Sequence, residues 1–166
     1  MIIENAENAL KQACIKTKSE ISEYTVAPIF MNGEKSGGHE WMIEFKKYPE
    51  NLNYFTELLD NALKASNSDY EAKRYNNLTL SMPKINIART GLFYDWLKQN
   101  NKLGGQHKVP RLSNTRDYME ELKTLNKSVY QTLTKLNIHF NNVITEKRKE
   151  NKKISKRRSR WNVPKR

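Results

Sequence analysis

Between His39 and Lys46 the chain alternates, with Trp41, Ile43 and Phe45 on one side and largely charged residues on the other. A period of two puts successive side chains on opposite faces. The stretch therefore fits a strand with a face against a core, and not a helix. Ile21 to Val26 has the same character, rich in β-branched and aromatic residues, and Pro28 is expected to end its central pairing. The polar, Gly-rich stretch from Met31 to Gly38 joins the two, which predicts an antiparallel pair. Ile85 and Ile87 mark a third strand, with Pro83 at its start, where a missing amide donor is tolerated. The expected sheet thus comprises Ile21–Ala27, His39–Lys46 and Met82–Ala88.

Helical periods surround these strands. Ala6, Ala9, Leu10, Ala13 and Cys14 form one stripe, which makes Cys14 a small core residue. Leu52, Phe55, Leu58, Leu59, Ala62 and Leu63 form a longer one, running from about Leu52 to Ala65. Asn67 reads as the cap of a short helix through Tyr70 and Tyr75. A further helix begins at Gly91 and ends at Asn100–Asn101, before a loop from Leu103 to Ser113. Asn114 is expected to cap a last helix, with Asp117 in its first turn. Leu122, Leu125, Val129, Leu133, Leu136, Phe140 and Val143 recur at spacings of three and four, so this helix is expected to run from about Thr115 to Glu146 and to expose an apolar seam. The fold class is α+β: a small, mainly antiparallel three-stranded sheet covered by the helices beginning near Ala6, Leu52 and Gly91, with a long C-terminal helix and a basic tail. The expected division is a body over 1–125, a helical extension over 126–145 and a basic tail over 146–166.

Charge divides the chain in the same way. Of a net +12, residues 146–166 hold +9, from eleven Lys and Arg against two Glu, which leaves +3 for the rest. The basic signal therefore belongs to the tail and says little about the body. Dense cations with one aromatic, Trp161, would suit contact with nucleic acid, and the same composition suits a solvated tail. The seam suits helix-mediated self-association. No apolar run approaches the ~20 residues of a membrane helix, and no secretory signal is expected from Met1-Ile2-Ile3-Glu4. One Cys excludes an internal disulfide and a Cys-based zinc cage, and points to a reducing, cytoplasmic setting.

Few enzyme classes survive. The His residues at 39, 107 and 139 have no metal-ligand spacing, so no metal site is expected. There is no nucleophile elbow, phosphate loop or dinucleotide fingerprint. The exception is Leu103-Gly104-Gly105-Gln106-His107-Lys108-Val109-Pro110-Arg111. Gly104 and Gly105 allow close approach of the backbone to a ligand. Lys108 and Arg111 offer one compact and one forked cation, suited to phosphate or carboxylate. An ordinary solvated turn between two helices is the other reading of the same residues.

Four blocks, in order, carry a resemblance: His39-Glu40-Trp41-Met42-Ile43-Glu44-Phe45, Asn67-Ser68-Asp69-Tyr70-Glu71-Ala72-Lys73-Arg74-Tyr75, Gly91-Leu92-Phe93 and Gly105-Gln106-His107-Lys108-Val109-Pro110-Arg111-Leu112-Ser113-Asn114. From about Ala6 to Leu125 the chain resembles the C-terminal part of the auxin-responsive-promoter family of acyl-acid amido synthetases, in the adenylate-forming superfamily, and is most similar to bacterial members. The resemblance implies a small α+β domain that closes over a large N-terminal domain. In such enzymes ATP and Mg2+ activate a carboxylic acid as an acyl-adenylate, and the acyl group then passes to an amine. Lys108 matches the lysine supplied to the phosphates, and Gly104, Gly105, Gln106 and Arg111 are implied as phosphate or nucleotide contacts. No large domain has a counterpart here. The expectation is therefore a detached lid, a truncated product or half of a split enzyme, inactive alone, with a large adenylating domain as its partner in trans.

Overall fold

The computed structural model describes residues 2–33, 35–77, 79–104 and 108–127. All contacts given below lie in the compact unit Met1–Asn126. The later seam positions, Val129 to Val143, and the basic tail lie outside the described residues.

Alternation produces the expected sheet. Strands β1 (Glu20–Ile29), β2 (Gly38–Lys47) and β3 (Lys84–Ala88) lie in the order β1-β2-β3. β1 and β2 are antiparallel, with Val26 opposite Trp41, while β3 joins parallel to β2, with Ile85 opposite Trp41. Pro28 does not end the pairing, because β1 continues through it to Ile29. The reason is parity. Val26 bonds outward, away from β2, and the Pro28 carbonyl likewise accepts from Arg116 Nη1 at 2.7 Å, so the missing amide faces the outer edge.

Helices α1 (Ile3–Thr17), α2 (Leu52–Ser66), α3 (Ser68–Arg74) and α4 (Leu92–Gln99) follow the predicted stripes. Asn51 and Asn67 cap α2 and α3, their side chains accepting from the amides of Tyr54 and Tyr70, each at 3.0 Å. A further helix, α5, covers 117–127. Asn114 is not its cap. The amide of Glu120 bonds to the Arg116 carbonyl, so the first turn begins two residues later than Asn114 would place it, after a turn in which Ser113 Oγ accepts from the Thr115 amide.

The helices cover both faces of the sheet. Tyr24, Val26, Trp41, Ile43 and Phe45 pack with α1, α2 and α3, while Ala27, Met42 and Ala88 pack with Leu92, Phe93 and Trp96 of α4 and Met119 and Leu122 of α5. The alternate face of β2 is therefore a second core and not a solvated surface. It buries two carboxylates. Glu40 receives Asn86 Nδ2 and Lys84 Nζ, each at 3.0 Å, together with Arg116, and Glu44 Oε1 accepts the Gly91 amide at 2.8 Å. Leu122 is fully buried and Leu125 packs on the same cluster, so the first two seam positions are used inside this unit.

Candidate functional site

The loop singled out by sequence is anchored from Val109 onward, where the chain lies along the outer edge of β1. Thr25 Oγ1 donates to the Pro110 carbonyl at 2.6 Å, the Val26 amide to the Arg111 carbonyl at 3.0 Å, and the Ser113 amide to the Val26 carbonyl at 2.9 Å. This short parallel bridge, Val26 to Leu112, covers an edge that would otherwise stay unpaired. Val109 is buried in the α4–α5 core, which fixes the start of the anchored segment. On the other side, Gly104 takes φ +96°, with nothing within 4 Å of where a Cβ would stand. Gly105, Gln106 and His107 lie outside the described residues.

Lys108 stands directly before the anchored segment. It is exposed and makes no ion pair among the described residues. It borders a cleft of about 220 Å³ shared with Glu23 of β1, Glu44 of β2 and Gly91, Tyr94 and Leu97 around α4. Gly91, at φ +77°, takes the left-handed conformation that glycine adopts without strain, and from there its amide reaches Glu44. Glu44 thereby ties the start of α4 to the central strand. Neither Glu44 nor Tyr94 stands out in the sequence as a site residue. Glu44 reads as solvent-facing by alternation, and only the covering of both faces obliges its carboxylate to find a partner. Tyr94, 58% exposed on α4, carries no signal of its own.

The structure separates the two predicted cations. Arg111 lines a different cleft, of about 290 Å³, between α1 and β1. It pairs there with Glu7 and holds its guanidinium 5.6 Å over the Tyr24 ring. Cys14 lines the same cleft, half-buried, with its thiol pushed up by burial despite a hydrogen bond to Ser19. His39 is tilted against Tyr70, with ring centroids 5.7 Å apart, and burial lowers it to about 4. Among the described residues no group of three or more His, Cys, Asp and Glu is placed to hold a metal ion, and no helix is long and apolar enough to cross a membrane.

Residues 4–117 match the GH3 family C-terminal domain. Two solved structures share the fold. One, a GH3.15 acyl acid amido synthetase, is 16% identical with a TM-score of 0.58, over 75% of this chain and 23% of that one. The other, AtGH3.15 acyl acid amido synthetase in complex with 2,4-DB, is 15% identical with a TM-score of 0.57, over 73% and 23%. This chain thus spans about a quarter of the length of either structure. No curated protein matches it.

Proposed function

The chain belongs to the GH3 family, whose C-terminal domain it carries, and we propose that it acts as the closing domain of an acyl acid amido synthetase, delivering Lys108 to the phosphates while a large domain holds the acyl acid. The observation that supports this most is the situation of Lys108. Its ammonium is exposed and unpaired among the described residues, yet it stands directly before a segment fixed to β1 by three backbone-directed hydrogen bonds. A cation so held is free to serve a ligand on another body, and its base does not have to be ordered at the moment of binding.

A lone ammonium on a firm base fits a polyphosphate better than a planar carboxylate, which a forked guanidinium matches more closely. ATP with Mg2+ would supply the adenylyl group and the pyrophosphate leaving group. Lys108 would place positive charge where negative charge develops. The surfaces of α4 and of segment 108–113 would exclude water from the labile adenylate on closure. Arg111 lines the α1–β1 cleft, where it pairs with Glu7. Alone, the chain would be inactive, because the reaction needs acid, nucleotide and lysine held at near-attack distance.

The test is reconstitution. A large adenylating domain of the family, produced without its own C-terminal domain, is mixed with this chain and assayed for ATP–pyrophosphate exchange with a panel of carboxylic acids. Exchange that appears only in the mixture supports the reading. A mixture no more active than its parts, with no ATP-dependent association, refutes it.

A further inference from the structure

A third cleft, of about 290 Å³, lies where the end of α1 meets the end of β2 and the start of α2. Three cations border it, Lys16, Lys18 and Lys47. All three are exposed and make no ion pair among the described residues, and Glu50 is the one carboxylate in the lining. Two aromatic rings border the same cleft. Tyr48 is 50% exposed and Tyr54 48%. Tyr48 tilts against the buried Phe45, with ring centroids 5.5 Å apart, so the core supports its ring while half of it meets solvent. Tyr54 stands on the first turn of α2, which the Asn51 side chain caps. Lys18 takes φ 53°, the left-handed conformation in which a helix commonly ends on Gly. None of these residues lines the cleft at Lys108.

The charges select an anion. Compact ammoniums suit phosphate oxygens and lack the fork that matches a planar carboxylate. The rings select a flat group, since an exposed aromatic face gains by stacking on another π-face. Phosphate and a flat ring together make a nucleotide. A cleft of this size takes one such unit. Three cations, drawn from the end of a helix and the end of a strand, exceed what one phosphate diester needs, and suit a strand whose neighbouring phosphates run across the same surface. The stacked base has to be unpaired, because a duplex keeps its base faces against one another. The chain as a whole carries +12, an excess that speeds encounter with a polyanion. We propose that this cleft binds single-stranded nucleic acid, with one base stacked at Tyr48 and Tyr54 and the flanking phosphates on Lys16, Lys18 and Lys47. The contact is independent of Lys108 and of adenylation.

Residues 146–166 hold eleven Lys and Arg and would add phosphate contacts of their own, so the test has to separate tail from cleft. Fluorescence anisotropy of labelled oligouridylate and oligothymidylate, each about eight nucleotides long, reads binding to the full chain over a range of salt. Both are expected to bind, and the ratio of their affinities tells whether the 2′-hydroxyl is read. Lys16→Gln, Lys18→Gln and Lys47→Gln together should weaken binding at least about tenfold at low salt. They should also lower the slope of log K against log[salt] by about 2, at ~0.7 for each phosphate of a single strand. Tyr54→Leu should weaken binding about fivefold or more at unchanged slope, since a stacked ring releases no counterion. Tyr54 belongs to neither core cluster, so this variant should keep the fold. The proposal is overturned by unchanged affinity and slope in the lysine triple, which would place the phosphate contacts in the tail, or by unchanged binding in Tyr54→Leu. Equally effective competition from uridine monophosphate would also overturn it, by making the cleft a pocket for a free nucleotide.

Discussion

Asp60 of α2 and Arg74 of α3 meet through two contacts, Nε to Oδ1 at 2.8 Å and Nη2 to Oδ2 at 2.9 Å, with both side chains almost wholly withdrawn from solvent. Tyr70 donates to the same carboxylate at 2.7 Å, and Lys64 reaches it at 2.7 Å from one turn along α2. Burial alone would raise the Asp60 carboxyl, but the hydrogen bonds from Arg74, Lys64 and Tyr70 outweigh it and hold the group below its ordinary value. Arg74 also donates to the Leu80 carbonyl at 3.0 Å, so the pair secures the chain leading to β3 as well as α3.

Breaking a buried pair leaves an uncompensated charge, which typically costs ~3–5 kcal/mol. Arg74→Ala is therefore expected to lower stability by about that amount, and Asp60→Asn by a comparable one. Urea denaturation reads the loss as a shift of midpoint at constant slope. A loss near that of an exposed pair, below ~1 kcal/mol, would mean that water reaches the site.

Stability should fall in acid in two stages. Burial lowers His39 to about 4, so the unfolded chain takes up its proton first, and stability declines as pH falls from about 6.5 towards 4. Glu40 acts lower. Burial would raise its carboxyl, but Arg116, Asn86 and Lys84, aided by Lys123, bring it to about 2. Its contribution is present above the ordinary value of 4.5 and is lost as pH falls to about 2, amounting to roughly 3 kcal/mol. Glu40→Gln should shrink the lower stage to the part that Asp60 contributes and keep the upper one. A lower stage of undiminished size in this variant would assign it to Asp60 and other carboxylates.

Much of this was legible in the sequence because the periods were strong. Trp41, Ile43 and Phe45 fixed one face of the central strand, and the stripe from Leu52 to Leu63 identified the helix that packs on it. The second core was less legible. Its strand residues, Ala27, Met42 and Ala88, are scattered singly, and the carboxylates beside them, Glu40 and Glu44, read as solvent-facing. Only their tertiary partners, Arg116 and the Gly91 amide, make burial tolerable, and those partners come from distant parts of the chain. Arg111 illustrates the same limit at the site. Three residues after Lys108 it reads as a cation of the same loop, and the bridge beside Val26 places it on another cleft.

Gly37 shows how a turn signal can conceal a packing requirement. The Gly-rich stretch reads as a connection, but Gly37 bonds through its amide to the Thr79 carbonyl and through its carbonyl to the Ser81 amide. A Cβ there would stand 3.0 Å from the Ile29 carbonyl oxygen and 3.2 Å from Met31 Cγ. The oxygen belongs to the paired end of β1 and cannot rotate away. Gly37→Ala is expected to cost ~1–3 kcal/mol, as overpacking does, with a matching drop in denaturation midpoint. A neutral result would show that this end of the hairpin yields.

Lys108→Ala separates a structural lysine from a functional one. The side chain is exposed and makes no ion pair among the described residues, while the backbone that carries it is held by Val109, Thr25 and Val26, none of which the substitution touches. Folding stability is therefore expected to stay within about 0.5 kcal/mol of the parent, as for an ordinary surface change. In the reconstituted mixture, the same variant should lose adenylation by at least ~10²-fold, the scale of one lost charge-stabilising donor. Lys108→Arg keeps the charge but spreads it over a planar fork, and should recover only part of the rate. If Lys108→Ala instead destabilises the fold by several kcal/mol, the residue is structural. If it leaves exchange at the parent rate, the cation that meets the phosphates lies elsewhere.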